Sequence, residues 1–405
     1  MTLVVQKYGG TSVATPERLQ LVAQRIRDTV AGGSSAVVVV SAMGDTTDDL
    51  IRLAHSVSAD PPEREMDALL STGEVITAPL LAMALAAADV PAVSLTGPQA
   101  GIRTTRAHRS ARITDIVPVR VIEELEQGRV VVVAGFQGST ENMDIATLGR
   151  GGSDTSAVAL AVALHAEHCE ILTDVAGVFT ADPRVEPSAR VIPEITYEEM
   201  LEMAAAGARV MHPRAVEIGE AYSMPIRVLS SFEDGPGTLI CRHPRMEQRQ
   251  KVRGIAHETD LAKVTLLRVP DRPGVAASTF GPFGEAGINV DIIVQNVSHD
   301  GTTDLSFTIG QSDLKRATAL LEDVARTVGA EGFATDSDIA QVSVIGTGIR
   351  GTPGMFAKIF RTLAESGVNI QMISSSEIDI TCIIDRASVR EAVRALHHAF
   401  ELEKI

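Results

Sequence analysis

Short runs of β-branched residues alternate with longer stretches of helical periodicity through residues 1–245. That alternation marks an α/β class, a mainly parallel sheet sandwiched by helices. LVVQKYGG (3–10) predicts a strand ending in glycines. A helix follows from about Pro16, with Leu19, Val22, Ala23 and Ile26 at helical spacing. SAVVVVSAMG (35–44), RVVVVAGFQG (129–138) and CEILTDVAGV (169–178) predict further buried strands. Between the last two, SDTSAVALAVALHAEH (153–168) predicts an apolar helix capped by Ser153 or Asp154. Ligands of open sheets sit beyond the carboxyl ends of the strands, which directs attention to residues 7–12, 41–44, 135–138 and 173–174.

Around 234–262 the texture changes. Asp234-Gly235-Pro236-Gly237 marks a turn, and CRHPRMEQRQKVRG is charged and poor in apolar residues. Beyond it the chain repeats itself. Pro273 matches Pro353, Gly274 matches Gly354 and Phe280 matches Phe360. Glu285, Gly287 and Asn289 likewise match Glu365, Gly367 and Asn369, every pair 80 residues apart without a gap. A Pro-Gly turn opening a helix, then a Gly-x-Asn turn into a strand, describes a small βα module used twice. The expected organisation is a main domain over 1–245, a linker over 246–262, and two units of βαββαβ size over 263–335 and 341–405.

At 405 residues the chain exceeds a single ordinary core, and 45% hydrophobic residues can fill more than one. The apolar runs 36–40 and 130–134 are strand-sized, short of a membrane span. MTLVVQKYGG enters a strand without a basic-then-apolar leader, so a cytoplasmic chain that meets no membrane is expected. A net charge of −16 argues against nucleic acid as a partner but not against a nucleotide, whose phosphates are met locally. Cys169, Cys241 and Cys382 show no paired spacing, and no metal site is predicted.

Several strings carry candidate chemistry. KYGGTS aims backbone amides and Lys7 at an anion, or is simply a tight strand-helix turn. In LGRGGSDT (148–155), three glycines beside Arg150 suit phosphates and a carboxylate, or a well-capped helix entry. No GxxxxGK[ST] occurs, so a bound triphosphate would be shared between two glycine turns. STGE (71–74) sets Glu74 where it suits an ammonium group or complements a helix N-terminus. TDVAGVFTADPR (173–184) suits a nucleobase and ribose pocket, or an ordinary loop. GTGIRG (346–351) has dinucleotide spacing but lies inside the second repeat and is followed by no acidic strand end. His397 and His398, on the last helical stretch, are read as surface or partly packed residues and not as ligands.

KYGGTS, SAMG, STGE, LGRGGSDT and TDVAGVFTADPR in that order, with the doubled C-terminal module, resemble the aspartokinases of the amino-acid kinase superfamily with tandem ferredoxin-like ACT domains. The resemblance covers essentially the whole chain. It implies transfer of a phosphoryl group from ATP, carrying Mg2+, to the β-carboxylate of L-aspartate, at the head of lysine, threonine and methionine synthesis. It implies that Lys7 neutralises the transferring group and that Asp154 organises Lys7. Ser41, Thr47, Glu74 and Arg150 become aspartate contacts. Tyr8, Gly9, Gly10, Gly151, Gly152 and Ser153 surround the phosphates. Thr173, Asp174, Phe179, Thr180, Ala181, Asp182, Pro183, Arg184 and Arg209 line the nucleotide. Phe179 stands where many relatives carry tyrosine, and Arg209 where lysine is frequent.

For the ACT modules the resemblance implies effector contacts at Asp271, Gly274, Ala276, Asn289, Asp291, Gln295, Asn369 and Ile370, with lysine, threonine or both as effectors. The second module has no aspartate at the place of Asp271, which makes the first the expected effector site. The assembly implied is a homodimer through the ACT domains, or an α2β2 form with an ACT-only subunit starting near Met246. Two rival readings stand beside this one: a kinase for glutamate, acetylglutamate or carbamate, and an amino-acid sensor whose kinase half is inactive. The co-occurrence of Lys7, Glu74, Arg150 and Asp154 favours an active enzyme.

Overall fold

The computed structural model describes residues 2–208, 210–242, 251–296, 301–349 and 351–405. They form two compact units, one built from residues 1–178, 191–205 and 209–248, the other from 179–190, 206–208 and 249–405.

The first unit begins β1 (Thr2–Tyr8), α1 (Pro16–Ala31), β2 (Ser34–Val40), α2 (Thr46–Val57), α3 (Glu63–Leu70) and α4 (Thr72–Ala87). It continues with β3 (Ala92–Leu95), β4 (Ile102–Thr104), β5 (Ile113–Ile116), α5 (Val119–Glu126), β6 (Val130–Ala134), β7 (Gln137–Ser139) and β8 (Ile145–Thr147). Then come α6 (Gly152–Ala163), β9 (His168–Thr173), β10 (Glu194–Ile195), α7 (Tyr197–Ala205), α8 (Pro213–Tyr222), β11 (Ile226–Ser230) and β12 (Thr238–Ile240). Eight strands form the main sheet in the order β10-β12-β11-β9-β1-β2-β6-β3, parallel except between β11 and β12. A smaller sheet, β5-β4-β7-β8, takes the chain that leaves β6. Valines at 38, 40, 130 and 132 pack with Leu81 and Leu85 of α4 and Ile26 of α1 on one face. Thr15 caps α1 through its hydroxyl, and Pro16 opens it.

Two sequence expectations are corrected here. An 18-residue window within Glu63–Ala87 has a mean hydropathy of 1.6, so by length and composition this stretch could cross a membrane and exceeds a strand-sized run. It is two consecutive helices, and Ala78, Leu81 and Leu85 of the second are buried in the sheet's own core. The helix after 152 is not capped by Ser153 or Asp154. Gly151 at φ +68° is its N-cap, leaving both side chains inside the first turn for other partners.

The second unit contains both repeats. The first runs β14 (Leu261–Pro270), α9 (Val275–Glu285), β15 (Val290–Gln295), β16 (Thr302–Gly310), α10 (Leu314–Val328) and β17 (Gly332–Asp336), preceded in the chain by β13 (Gly254–Glu258). The second runs β18 (Ile339–Ile345), α11 (Met355–Glu365), β19 (Ile370–Ser375), β20 (Asp379–Asp385) and α12 (Val389–Ala399). Gly274 and Gly354 cap α9 and α11 at φ +94° and +86°, the backbone counterpart of the sequence repeat. The second repeat reaches its C-terminal turn without a last strand. Its four-stranded sheet is completed by β13, from the stretch expected to be linker, which pairs antiparallel with β18. GTGIRG serves this join, since a Cβ on Gly346 would lie 2.1 Å from the Lys251 carbonyl oxygen. His397 is also corrected: it is fully buried, not a surface residue.

Phe283 is fully buried in the first repeat and meets Phe307 edge-on at 5.4 Å. Phe283→Ala should cost about 3–5 kcal/mol by leaving a cavity, read as a lowered urea midpoint for the second unit. A change below ~1 kcal/mol would mean that this core is not packed as described.

Candidate active site

The parallel register brings the chemical strings together. Tyr8 pairs with Val40 and with Leu172, and Val40 pairs with Ala134, so four strands end at one edge. Gly9, Ser41, Gly135 and Thr173 each follow one of those ends. Cross-links hold the edge: Ser41 N–H donates to the Tyr8 carbonyl, Gly9 N–H to that of Leu172, and Gly135 N–H to that of Val40.

Lys7 points to the face covered by α6, where its Nζ lies 2.6 Å from Asp154 Oδ1, the two side chains only 12% and 10% exposed. Asp154 sits in the first turn of α6, where the helix dipole favours a carboxylate. The preceding loop is braced by residues that no motif pointed to. A Cβ on Gly151 would fall 2.2 Å from the His212 ring, so only glycine lets His212 close over the turn. Burial holds the His212 imidazole below its usual range. Arg214 donates to the Leu148 and Ala111 carbonyls. Asp67, fully buried in α3, accepts from Arg109 N–H, Thr147 N–H and the Thr147 hydroxyl, and pairs with His108 Nδ1 at 2.9 Å. These residues escaped sequence reasoning because the partners they hold lie far away in the chain, Arg214 reaching back to Leu148 and Asp67 forward to Thr147. The one signal for Asp67 was an acid set between Met66 and Ala68, on the apolar side of a helix whose other acids, Glu63 and Glu65, lie in its first turn.

Glu74 is buried in α4, with Oε1 accepting from Ala42 N–H at 3.1 Å. Its Oε2 is buried with no hydrogen-bond partner. Burial pushes its carboxyl group up to about 7. Ser41 lies next to that amide, Thr47 is half-buried in the first turn of α2, and Arg150 is exposed on the glycine loop.

The nucleotide set divides. Tyr8 cannot contribute its side chain, because alternation along β1 turns it opposite to Lys7. It is fully buried in the valine core with its hydroxyl donating to Gln6, and burial raises its ionisation well above the ordinary range. Thr173 ends β9 and Asp174 follows it, the two joined by a 3.1 Å hydrogen bond. Phe179, Thr180, Ala181, Asp182, Pro183 and Arg184 belong to the second unit. There Ala181 is core and Phe179 packs against it, while the Thr180 hydroxyl is buried against His397 Nε2 at 2.9 Å. Thr180 and Ala181 therefore offer no side chain to a ligand. Arg184 grips Asp182 with two nitrogens; burial works against that carboxyl's charge, but these bonds hold it below its usual range. Arg209 and Met246 lie outside the described residues.

Of the effector set, Asp271, Gly274, Ala276, Asn289, Asp291, Gln295 and Asn369 are exposed, and Ile370 is half-buried. Asn289 donates to Asp291 at 2.7 Å. β15, bearing Asp291 and Gln295, lies beside β19, which begins at Ile370; Ile292 and Val294 pack on a shared cluster with Met372.

Residues 2–230 match the model of the amino acid kinase family, and residues 263–326 and 342–400 each match an ACT domain model. The chain is 50% identical over 404 residues to an aspartate kinase of Stutzerimonas stutzeri, covering 100% of this chain and 98% of that one. It is 49% identical over 408 residues to an aspartokinase of Mycolicibacterium smegmatis, covering 99% and 97%. Escherichia coli aspartokinase III, solved with aspartate and ADP, superposes with a TM-score of 0.83 at 25% identity, covering 98% of this chain and 99% of that one. The same enzyme solved with lysine and aspartate gives a TM-score of 0.76, covering 98% and 99%.

Asp67→Asn would turn an amide N–H toward N–H donors and should cost about 3–5 kcal/mol. Chemical denaturation measures this, and a variant as stable as the parent would show that Asp67 does not brace the 108–109 and 147–149 segments.

Proposed function

The chain belongs to the aspartokinases of the amino acid kinase family, as an aspartate kinase with two ACT domains, and we propose that it transfers the γ-phosphoryl group of ATP to the β-carboxylate of L-aspartate. A carboxylate oxygen bonds to the γ-phosphorus as the bond to the β,γ-bridging oxygen breaks, giving 4-phospho-L-aspartate and ADP. The product opens lysine, threonine and methionine synthesis. The observation that carries this reading is Lys7 Nζ held against Asp154 at the edge where the glycine turns meet.

The nucleophile needs no base, because an aspartate side chain with a pKa of about 3.9 is already ionised at pH 7. Transfer through a loose transition state asks for in-line positioning and charge neutralisation. Lys7 supplies a positive charge whose direction Asp154 fixes. Backbone around Gly9, Gly10, Gly151, Gly152 and Ser153 cradles the phosphates, aided by the N-terminus of α6. Thr173, Asp174, Phe179, Asp182, Pro183, Arg184 and Arg209 line the nucleotide. Mg2+ carried on the triphosphate neutralises charge on its oxygens. The sparse carboxylates of this edge, Asp154 and Asp174, fit a cation held mostly by phosphate and water.

Glu74 Oε2 takes the substrate's α-ammonium, which supplies the partner that this buried oxygen lacks. Arg150 pairs with a substrate carboxylate in a two-pronged bond, and Ser41 and Thr47 complete the aspartate contacts. The catalytic domain lies within residues 1–245, apart from 179–190 and 206–208, which belong to the second unit. The modules over 263–335 and 341–405 bind lysine, threonine or both, chiefly through Asp271, Gly274, Ala276, Asn289, Asp291 and Gln295 of the first and Asn369 and Ile370 of the second. Lysine in the E. coli aspartokinase III structure supports that class of effector. The protein works in the cytoplasm as a homodimer through its ACT domains, or as an α2β2 assembly with a subunit begun near Met246.

A coupled assay of ADP release with aspartate, run with glutamate and acetylglutamate as rival acceptors, tests the reaction. Lys7→Ala should lower kcat by about 10²–10³-fold, whereas Gln295→Ala should keep kcat and weaken inhibition by lysine or threonine. Equal loss of turnover in both variants contradicts this division. A pH series adds a second check. Glu74 must be ionised to bind an ammonium, and its free carboxyl titrates at about 7. Aspartate KM should therefore rise as pH falls below 7, approaching tenfold per unit, and Glu74→Gln should bind weakly without that slope. A wild-type KM flat from pH 6 to 8 removes Glu74 from this role.

A further inference from the structure

The C-terminal end of the second unit gathers three metal-binding side chains. α12 delivers His397 and His398, and the turn at Leu402–Lys404 folds Glu403 back toward them. His397 is fully buried, and its Nδ1 has no hydrogen-bond partner. Glu403 Oε2 is buried and equally without one. Both His397 Nδ1 and His398 Nδ1 lie 3.9 Å from that oxygen, too far for a hydrogen bond. One donor atom from each of the three residues falls within 4.8 Å of the others.

The outer contact of His397 has the form that metal-binding histidines use. His397 Nε2 shares a 2.9 Å hydrogen bond with the Thr180 hydroxyl, and His398 Nε2 lies 3.6 Å from Glu186 Oε2. The Thr180 partner on the far nitrogen of His397 fixes that ring and leaves its near nitrogen to a metal, whereas Glu186 is too far from His398 to hold it by a hydrogen bond. With the Nε2 proton given to Thr180, the Nδ1 lone pair of His397 faces the carboxylate lone pairs, an arrangement that only a cation or a water placed between them relieves. Ligands 2.0–2.2 Å from a tetrahedral zinc-class ion stand about 3.4 Å apart. The side chains of His398 and Glu403, 59% and 30% exposed, are free to close that gap.

We propose that His397 Nδ1, His398 Nδ1 and Glu403 Oε2 form a site for a divalent transition-metal cation of the zinc class, with water as the fourth ligand. Both outer partners, Thr180 and Glu186, belong to segment 179–190, which Arg394 also holds through the Val185 carbonyl. Metal binding therefore stiffens that segment.

The test uses full-length protein stripped with a chelator and kept free of nucleotide. Zn2+ titration by calorimetry should show one equivalent bound, and Co2+ should give the visible bands of a tetrahedral site. Glu403→Gln, which keeps the side chain's size, and His398→Ala, at an exposed position, should each weaken Zn2+ at least tenfold, while His55→Ala on α2 should not. Hydrogen exchange at 179–190 should slow with Zn2+ in the parent alone. No stoichiometric binding, binding undiminished in both variants, or exchange at 179–190 that ignores Zn2+ would each overturn the proposal.

Discussion

Lys7 and Asp154, 2.6 Å apart and nearly closed to solvent, determine how the first unit must be built around them. An ammonium and a carboxylate withdrawn from water each carry a desolvation penalty that only a close, well-supported partner offsets. That requirement sets the rotation of α6 over β1 and calls for a helix N-terminus at the carboxylate. It also explains why the loop entering α6 is so heavily braced. A tilt at Gly151 would separate the pair, and His212, Arg214 and, through Thr147, Asp67 restrain that loop from different sides. The bracing residues come from α3 and from the start of α8, so the site rests on the whole unit and not on its motifs alone.

Much of this was legible in the sequence because periodicity and register are local rules with global consequences. Valine runs at 36–40 and 130–134 can only be buried strands in a covered sheet, and parallel pairing then aligns their ends. Tyr8 shows the cost of reading a motif as a string. In a strand, neighbours face opposite ways, so the side chains of Lys7 and Tyr8 cannot both address one ligand. Gly151, and not Ser153 or Asp154, caps α6 because the helix begins earlier than its polar residues suggest, which leaves Asp154 inside the first turn and paired with Lys7.

Other features depend on contacts distant in sequence and left no local trace. β13 looked like linker because five residues in a charged stretch carry no pattern of their own. It becomes a strand when β18 offers an open edge. Segment 179–190 reads as one loop with the strand before it, yet Ala181 and Ala189 belong to a core that includes Ile359, Leu363 and Val393. No spacing in the sequence shows that the Thr180 hydroxyl will be claimed by a histidine more than 200 residues later.

The repeat keeps its helix-opening turn in backbone but differs in its last strand and in its chemistry. The turns at Gly274 and Gly354 share one conformation, but the first carries the exposed Asp271 and the second is approached by the strand that completes its sheet. Lys251, just ahead of β13, hydrogen-bonds the Thr352 hydroxyl at 2.8 Å. With Lys358 it lines a cavity of about 310 Å3 at that turn. Two ammonium groups stand at the second turn, whereas at the first Asp271 is followed directly by Arg272, an acid beside a base. Borrowing β13 thus gives the second module both its missing strand and a positive charge at its turn.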